Sequence, residues 1–284
     1  MNKREDFLMK IVTTLSGKDG SQKYLIKGEF YEECFEALLF SLPADPSNYI
    51  LCISSQIGCN IACTFCATGS LGYCYNISAQ DLVATVDLIE QQNKGINIAW
   101  YSFLGMGEPL NNFDNIVAFH DLMRNRNVKL SLSTVGIPER IHELADLGCP
   151  YYLFLSLHFP FDEMREQYIP INKAYPIDSI ISACDYYNGK SGKKIEVSYM
   201  LLEGINDTDE CLNELARLLD PLKDRIQLLL YNESLLNQQQ YKRIDKGKVQ
   251  NFADRLKAHN FEVSISISVA QDIFGGCGQM TGKS

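Results

Sequence analysis

No apolar run in this 284-residue chain is long enough to cross a bilayer. The longest, such as 226–231 (IQLLLY), fall far short of the roughly 20 residues a spanning helix needs. The N-terminus, MNKREDFLMKIVTTLSG, has neither the long apolar core nor the cleavage site of a secretory signal. Both absences point to a cytoplasmic protein with no membrane partner. Positive charge is also scarce: 26 Lys and Arg against 35 Asp and Glu leave a net charge of −9. That deficit argues against broad, sequence-independent binding to nucleic acid, which depends on neutralising phosphates. A local basic face is still open to the chain, and its basic clusters are Arg124/Arg126/Lys129, Lys190/Lys193/Lys194 and Lys242/Arg243/Lys246/Lys248. No internal repeat or low-complexity segment stands out; the nearest is Gln238–Gln240 in a polar loop.

What is present is an ordinary globular composition, 46% apolar and 21% charged, in a chain long enough for a sizeable core. Residues 1–48 read as a short N-terminal extension in which KYLIKGEF and CFEALLFSLP form short strands, ended by Pro43 and Pro46. From Tyr49 to Ser284 strand-like and helix-like segments alternate. Strands are predicted at 49–53, 97–104, 129–134, 151–157, 194–201 and 226–231. Helices are predicted at 78–92, with Ser78 as N-cap, and at 113–125, 138–146, 177–188, 207–219 and 246–260. Six strands alternating with helices imply a parallel sheet with right-handed crossovers, too few for a closed eight-fold barrel. The expected fold is α/β, an open partial (β/α)6 barrel over residues 49–284.

Cysteine, by contrast, is plentiful. Ten of them in a cytosolic chain are expected to be reduced, so clustering points to metal or catalysis rather than to disulfide staples. Three fall within eight residues just past the first core strand: Cys59-Asn-Ile-Ala-Cys63-Thr-Phe-Cys66. Such a loop can wrap one compact inorganic core, and Gly58 and Gly69 on either side would permit the backbone angles required. Three ligands, where a structural zinc or ordinary cluster takes four, leave one metal position open to a small molecule. A zinc site completed by a distant residue fits the bare spacing equally well.

Polar signals elsewhere fall where strands are predicted to end, the edge on which (β/α) barrels carry function. The second strand runs into Gly105-Met106-Gly107-Glu108-Pro109, the third ends at Ser133-Thr134, the fourth at Ser156-Leu157-His158 and the sixth at Tyr231-Asn232. Singly, each has a plainer explanation: a tight turn, a capping serine, a satisfied core histidine, a strand-ending Asn. Their shared rim beside the three-cysteine loop favours a site.

The C-x3-C-x2-C loop, with Phe65 before its last cysteine, resembles that of the radical S-adenosylmethionine superfamily. Longer words narrow the likeness: CISSQIGCNIACTFCATG, FLGMGEPLNN, LSTVGIP, FLSLH, YIPINK, LLEGIND, LLYN and GGCGQM, in order from about Leu51 to Met280, resemble the RNA adenine methyltransferases of the RlmN/Cfr family. The resemblance implies a [4Fe-4S] cluster on Cys59, Cys63 and Cys66. It also implies S-adenosylmethionine held at its amino end by Gly107 and Glu108 and elsewhere by Ser133, Ser156, Leu157, His158 and Asn232. Cys277 matches the cysteine that is S-methylated and Cys52 the one that resolves the protein–RNA crosslink, leaving a disulfide bond. The implied activity is methyl transfer to C2 or C8 of an adenine in ribosomal or transfer RNA, with a flavodoxin or ferredoxin as electron donor. The alternative is the same two-cysteine chemistry on a non-ribosomal substrate. Glu36 is the nearest match to the family's proton acceptor, although its spacing to Pro43 is two residues longer than the family pattern. Only 51 residues precede Cys52, too few for the helical accessory domain usual in the family. Cys34, Cys74, Cys149, Cys184 and Cys211 match nothing functional and are expected to pack.

Overall fold

The computed structural model describes residues 9–42, 45–234, 236, 241–266 and 268–282. Pro43 and Gln238–Gln240, singled out above, lie outside the described residues.

Seven parallel strands form the body of one ten-stranded sheet. They are β4 (Asp45–Ile53), β7 (Asn97–Phe103), β8 (Lys129–Thr134), β9 (Tyr152–Ser156), β10 (Ile195–Leu201), β11 (Asp224–Leu230) and β12 (Glu262–Ile265), side by side in that order. An antiparallel meander of β1 (Lys10–Ser16), β2 (Gln22–Lys27) and β3 (Cys34–Leu42) extends the sheet by pairing β3 with β4. The order is linear from β1 to β12, so the barrel is partial and open, as expected. A small hairpin, β5 (Gln56–Gly58) with β6 (Tyr73–Asn76), stands apart and brackets the cysteine loop and α1 (Ala67–Ser70).

Helices fill the crossovers: α2 (Ala79–Gln92), α3 (Phe113–Met123), α4 (Pro138–Asp146), α5 (Asp162–Tyr168), α6 (Ile177–Ser191), α7 (Asp209–Leu218) and α8 (Lys246–Ala258). Several elements go beyond the sequence reading: β1 in the extension, the β5–β6 hairpin with α1, and two in the body of the sheet. β12 adds a seventh parallel strand, and α5 precedes α6 in the connection after β9. The central strands bury both faces, as parallel sheets covered by helices do, and β10 shows it with its burial unbroken from Val197 to Leu201 except for no position. The main apolar core runs from Tyr24 and Phe35 in the meander to Phe252 and Leu256 on α8. A second apolar cluster of Ile61, Phe65, Val135, Phe159, Met200 and Tyr231 packs around the three loop cysteines.

Ser78 caps α2 as predicted: its hydroxyl accepts from the Asp81 amide at 3.1 Å, satisfying one of the helix's first free N–H groups. Ser78→Ala should lower unfolding free energy by about 1 kcal/mol, read from the urea midpoint, while Ser78→Asp should cost little.

Candidate active site

The cysteine loop leaves β5 and returns through α1. Gly58 takes a left-handed φ of 74°, and a Cβ there would meet the Gly72 carbonyl at 1.9 Å. Gly69, expected to supply the same freedom, serves otherwise: its φ is ordinary, and a side chain would press on the Cys63 backbone at 2.9–3.0 Å. The second left-handed position in the wrap is Ala62, with φ 57°. The loop is fastened by Cys59 N donating to Gly72 O (2.8 Å) and Thr64 N to Tyr168 O (3.0 Å).

All three thiols are half-buried. Burial pushes the Cys59 thiol up to about 12, with the Glu108 and Cys66 charges adding and the Ile61 and Ala62 amides opposing. Burial raises Cys63 strongly as well, with Cys66 and Cys59 adding and Arg165 opposing. Among the described residues, no three or more His, Cys, Asp or Glu are grouped to hold a single metal ion. Three half-buried thiols on one loop, backed by an apolar wall and a nearby guanidinium, fit the donor set of a multi-iron cluster.

The predicted rim residues do gather at the C-terminal ends of the parallel strands. Gly107 requires glycine: its φ is 97°, and a Cβ would lie 2.5 Å from Gln56 Cβ. Glu108 is buried, and its carboxylate is already engaged, accepting from Leu110 N (3.0 Å) and Val135 N (2.9 Å). Burial raises its pKa, while the hydroxyl of Thr134, those two amides and Arg165 pull against the rise. Ser133 and Ser156, at the ends of β8 and β9, share a hydrogen bond of 3.2 Å. Leu157 is buried, and its carbonyl accepts from Arg165. His158 stands in the left-handed region (φ 58°), its Nδ1 accepting from Met200 N at 3.1 Å. Burial, then Arg165, lowers its pKa to about 3, so the ring is neutral with its proton on Nε2. Phe65 meets that ring edge-on at 5.5 Å.

Cys277 lies on the segment after β12, and this segment is bonded directly to the cysteine loop. Ala67 N donates to Gly278 O (2.8 Å) and Thr68 Oγ1 to Met280 O (2.7 Å). Asn232, beyond β11, holds the same segment through Cys277 O (3.4 Å) and Gln271 (2.8 Å). Although Cys277 has exposed surface, protein around its thiol raises the pKa, and the Cys66 charge adds to the rise. Cys52, buried in β4, is raised strongly by burial and then by the Cys277 charge. Cys277 thus lies within electrostatic reach of both Cys66 and Cys52. Cys52 and Cys277 are both free thiols here, with no disulfide bond between them.

Two residues that motif reading left without a role belong to this site. Arg165 of α5 is fully buried and donates to Val135 O (2.5 Å), Leu157 O (3.1 Å), Ser156 O (3.2 Å) and Asn172 Oδ1 (2.6 Å). It ties the β8 and β9 rims together; the only sequence hint was its position just before the YIPINK word. Asn206, in LLEGIND, donates to the carbonyls of His158 and Met200 at 2.7 Å each, fixing the His158 turn. Glu36 is also placed suggestively. β3 pairs Leu38 with Cys52, so Glu36, two residues along, shares the face that carries Cys52. Its carboxyl is buried and raised by burial, with Lys23 and the Thr281 and Gly282 amides opposing, and its Oε2 has no hydrogen-bond partner.

Comparison with known proteins agrees with this geometry. Residues 53–219 match the Radical SAM superfamily model. A probable dual-specificity RNA methyltransferase RlmN of Petrotoga mobilis is 33% identical over 268 residues, covering 92% of this chain and 75% of the relative. A namesake from Thermotoga maritima is 33% identical over 280 residues, covering 96% and 79%. A crystal structure of a radical SAM methyltransferase from Sphaerobacter thermophilus superposes with a TM-score of 0.90 at 29% identity, covering 97% of this chain and 82% of that one. The chain belongs to the radical SAM superfamily and, within it, to the RlmN family. Its cofactors are accordingly a [4Fe-4S] cluster and S-adenosylmethionine.

Removing the buried guanidinium would strand the carbonyls it serves. Arg165→Met should lower stability by about 3 kcal/mol, measured by urea unfolding; an unchanged midpoint would show that the rims hold without it.

Proposed function

We propose that this protein methylates an adenine carbon, C2 or C8, of ribosomal or transfer RNA, carrying the methyl group on Cys277. One observation bears most of the weight: Cys277 lies within electrostatic reach of Cys66 and of Cys52, and its own segment is hydrogen-bonded to Ala67 and Thr68 beside the cysteine loop. The RNA methyltransferase names of the relatives support RNA as the substrate.

In this reading Cys59, Cys63 and Cys66 hold the cluster. Gly107 and Glu108 bind the amino end of S-adenosylmethionine, while Ser133, the Ser156–His158 turn and Asn232 bind the remainder. When bound, these groups supply the electron and the reductively formed radical that removes a hydrogen atom. Everything else falls to side chains. Cys277, as thiolate, displaces the methyl group from a first S-adenosylmethionine. Once activated, the thiomethyl carbon joins the adenine ring, and the electron left unpaired on the ring would pass back to the bound cluster. Glu36 takes the ring proton, for which its raised pKa and open Oε2 suit it. Cys52, as thiolate, then attacks the Cys277 sulfur and breaks its bond to the methylene carbon, which takes up a proton as the methylated base leaves and a transient disulfide bond remains. With burial holding Cys52 above its ordinary value, its thiolate fraction rises with pH throughout the neutral range.

Position separates the basic clusters. Arg124–Lys129 and Lys190–Lys194 precede β8 and β10, on the rim away from the site, and Arg126, Lys190 and Lys194 are paired with acids. Arg243 bridges Leu202 just past the C-terminal end of β10, on the site's rim. Lys242, Arg243 and Lys246 make no ion pair among the described residues, and we assign RNA phosphates to them; a flavodoxin- or ferredoxin-type protein supplies the electron.

The test is RNA mass spectrometry with and without the expressed protein. Wild type should yield new methyladenosine. Cys277→Ala should yield none yet still release deoxyadenosine from reduced enzyme, and Cys52→Ala should accumulate a covalent enzyme–RNA adduct. Methylation by Cys277→Ala would sink the mechanism. Charge reversal at Lys242 and Arg243 should weaken RNA binding about tenfold in gel shift and flatten its salt dependence, whereas reversal at Lys190 and Lys194 should change neither.

A further inference from the structure

The N-terminal meander grips the segment that carries Cys277. In the turn between β1 and β2, Asp19 Oδ2 accepts from Ala270 N (2.7 Å) and Lys18 N donates to Asp272 Oδ2 (3.0 Å). On β3, Leu38 Cδ1 would lie 2.9 Å from a Cβ on Gly275, and Cys34 O 2.5 Å from one on Gly282. The gripped stretch includes two non-glycine residues in the left-handed region, Ala270 (φ 54°) and Phe274 (φ 50°), a backbone shape that persists only when its surroundings hold it.

Lys23 of β2 stands at the centre of this contact. Its side chain is only 8% exposed, which is costly for an ammonium without partners. It has two: Glu36 Oε1 at 3.5 Å and the Phe274 carbonyl at 3.3 Å. The first acceptor is the proposed base, and the second lies three residues before Cys277. Lys23 is the one charged group set against the Glu36 carboxyl. Among the described residues, β4 contributes the Cys52 thiol on the same face, and just beyond it the Ser54 hydroxyl bonds the Glu36 carbonyl at 2.6 Å. From the C-terminal segment come the uncharged Thr281 and Gly282 amides.

We propose that Lys23 is a positioning residue that holds the Glu36 carboxylate and the Cys277 segment in one register, so that the base faces the ring only while the methyl-bearing cysteine is seated. This rests on the reading of Glu36 as the proton acceptor. Proton removal from the RNA-bound intermediate, and not the methylation of Cys277, is then the step that depends on Lys23. Losing the ammonium also removes the attraction favouring ionised Glu36, so the base form is lost at a higher pH as solution is acidified.

The experiment compares reconstituted wild type, Lys23→Met, Lys23→Gln and Lys23→Arg, acting on unmodified ribosomal and transfer RNA. Intact-protein mass reports Cys277 methylation, denaturing gels report the enzyme–RNA adduct, and single-turnover rates against pH report product release. Lys23→Met should methylate Cys277 to the wild-type extent, accumulate about fivefold more adduct and move the acid limb up by about one pH unit. Lys23→Gln, which retains a donor for Phe274, should shift the limb likewise and carries the test if Lys23→Met does not fold. Lys23→Arg, which retains the charge, should leave the limb in place. An unmoved limb and wild-type adduct in both neutral variants would overturn the proposal, as would equal loss of Cys277 methylation in all three. Wild type that releases deoxyadenosine but makes no methyladenosine would instead overturn the RNA reading on which this one stands.

Discussion

Two hydrogen bonds, from Ala67 N to Gly278 O and from Thr68 Oγ1 to Met280 O, join the cysteine loop to the segment that carries Cys277. The joined residues are more than 200 positions apart, and the site's chemistry depends on their meeting. In the proposed reaction the Cys277 thiol receives a methyl group, presents it to a radical and then yields to another thiol, which requires it to be held within ångströms of each partner. The fold achieves this by hanging the C-terminal segment across the open side of the sheet. It is fixed to the loop on one flank, to Asn232 at the end of β11 on another, and to the antiparallel meander on a third.

Around that junction the polar groups are buried in satisfied sets. Arg165 and Asn206 act through backbone carbonyls, so they shape the turns at Val135, Ser156, Leu157 and His158 without entering the reaction. Glu108 caps its own turn and the start of the Val135 turn, which couples the β7 and β8 rims. The carboxyl that departs from this pattern is Glu36, whose Oε2 alone among buried side-chain N and O atoms of the described residues has no partner. A carboxylate left open in this way suits proton transfer better than scaffolding.

Much of this was readable from the chain. The six strands and six helices were found to within a few residues, because parallel strands buried on both faces read as apolar runs and each crossover helix repeats its apolar positions at helical spacing. β12 escaped because EVSI is short and alternates between exposed and half-buried. α5 escaped because DEMREQY has almost no apolar face; its inward residue is a charged one, Arg165, whose burial no local pattern announces. The rim residues were legible as a set because strand ends share an edge. What they do individually was not. Glu108 turned its carboxylate inward and Asn232 gripped the Cys277 segment, relations created by residues distant in sequence. Lys23 read as an ordinary alternating strand residue and Glu36 only as an ill-spaced match to a family position; the sheet register sets the two on one face, against the C-terminal segment.

The turn at His158 carries a consequence for how this enzyme should be studied. Its imidazole is walled in beside a guanidinium and accepts an amide proton at Nδ1, so it keeps one protonation state from mild acid to alkali. His158 is therefore uncharged throughout that range. A titration of this site between those limits carries no contribution from the His158 imidazole.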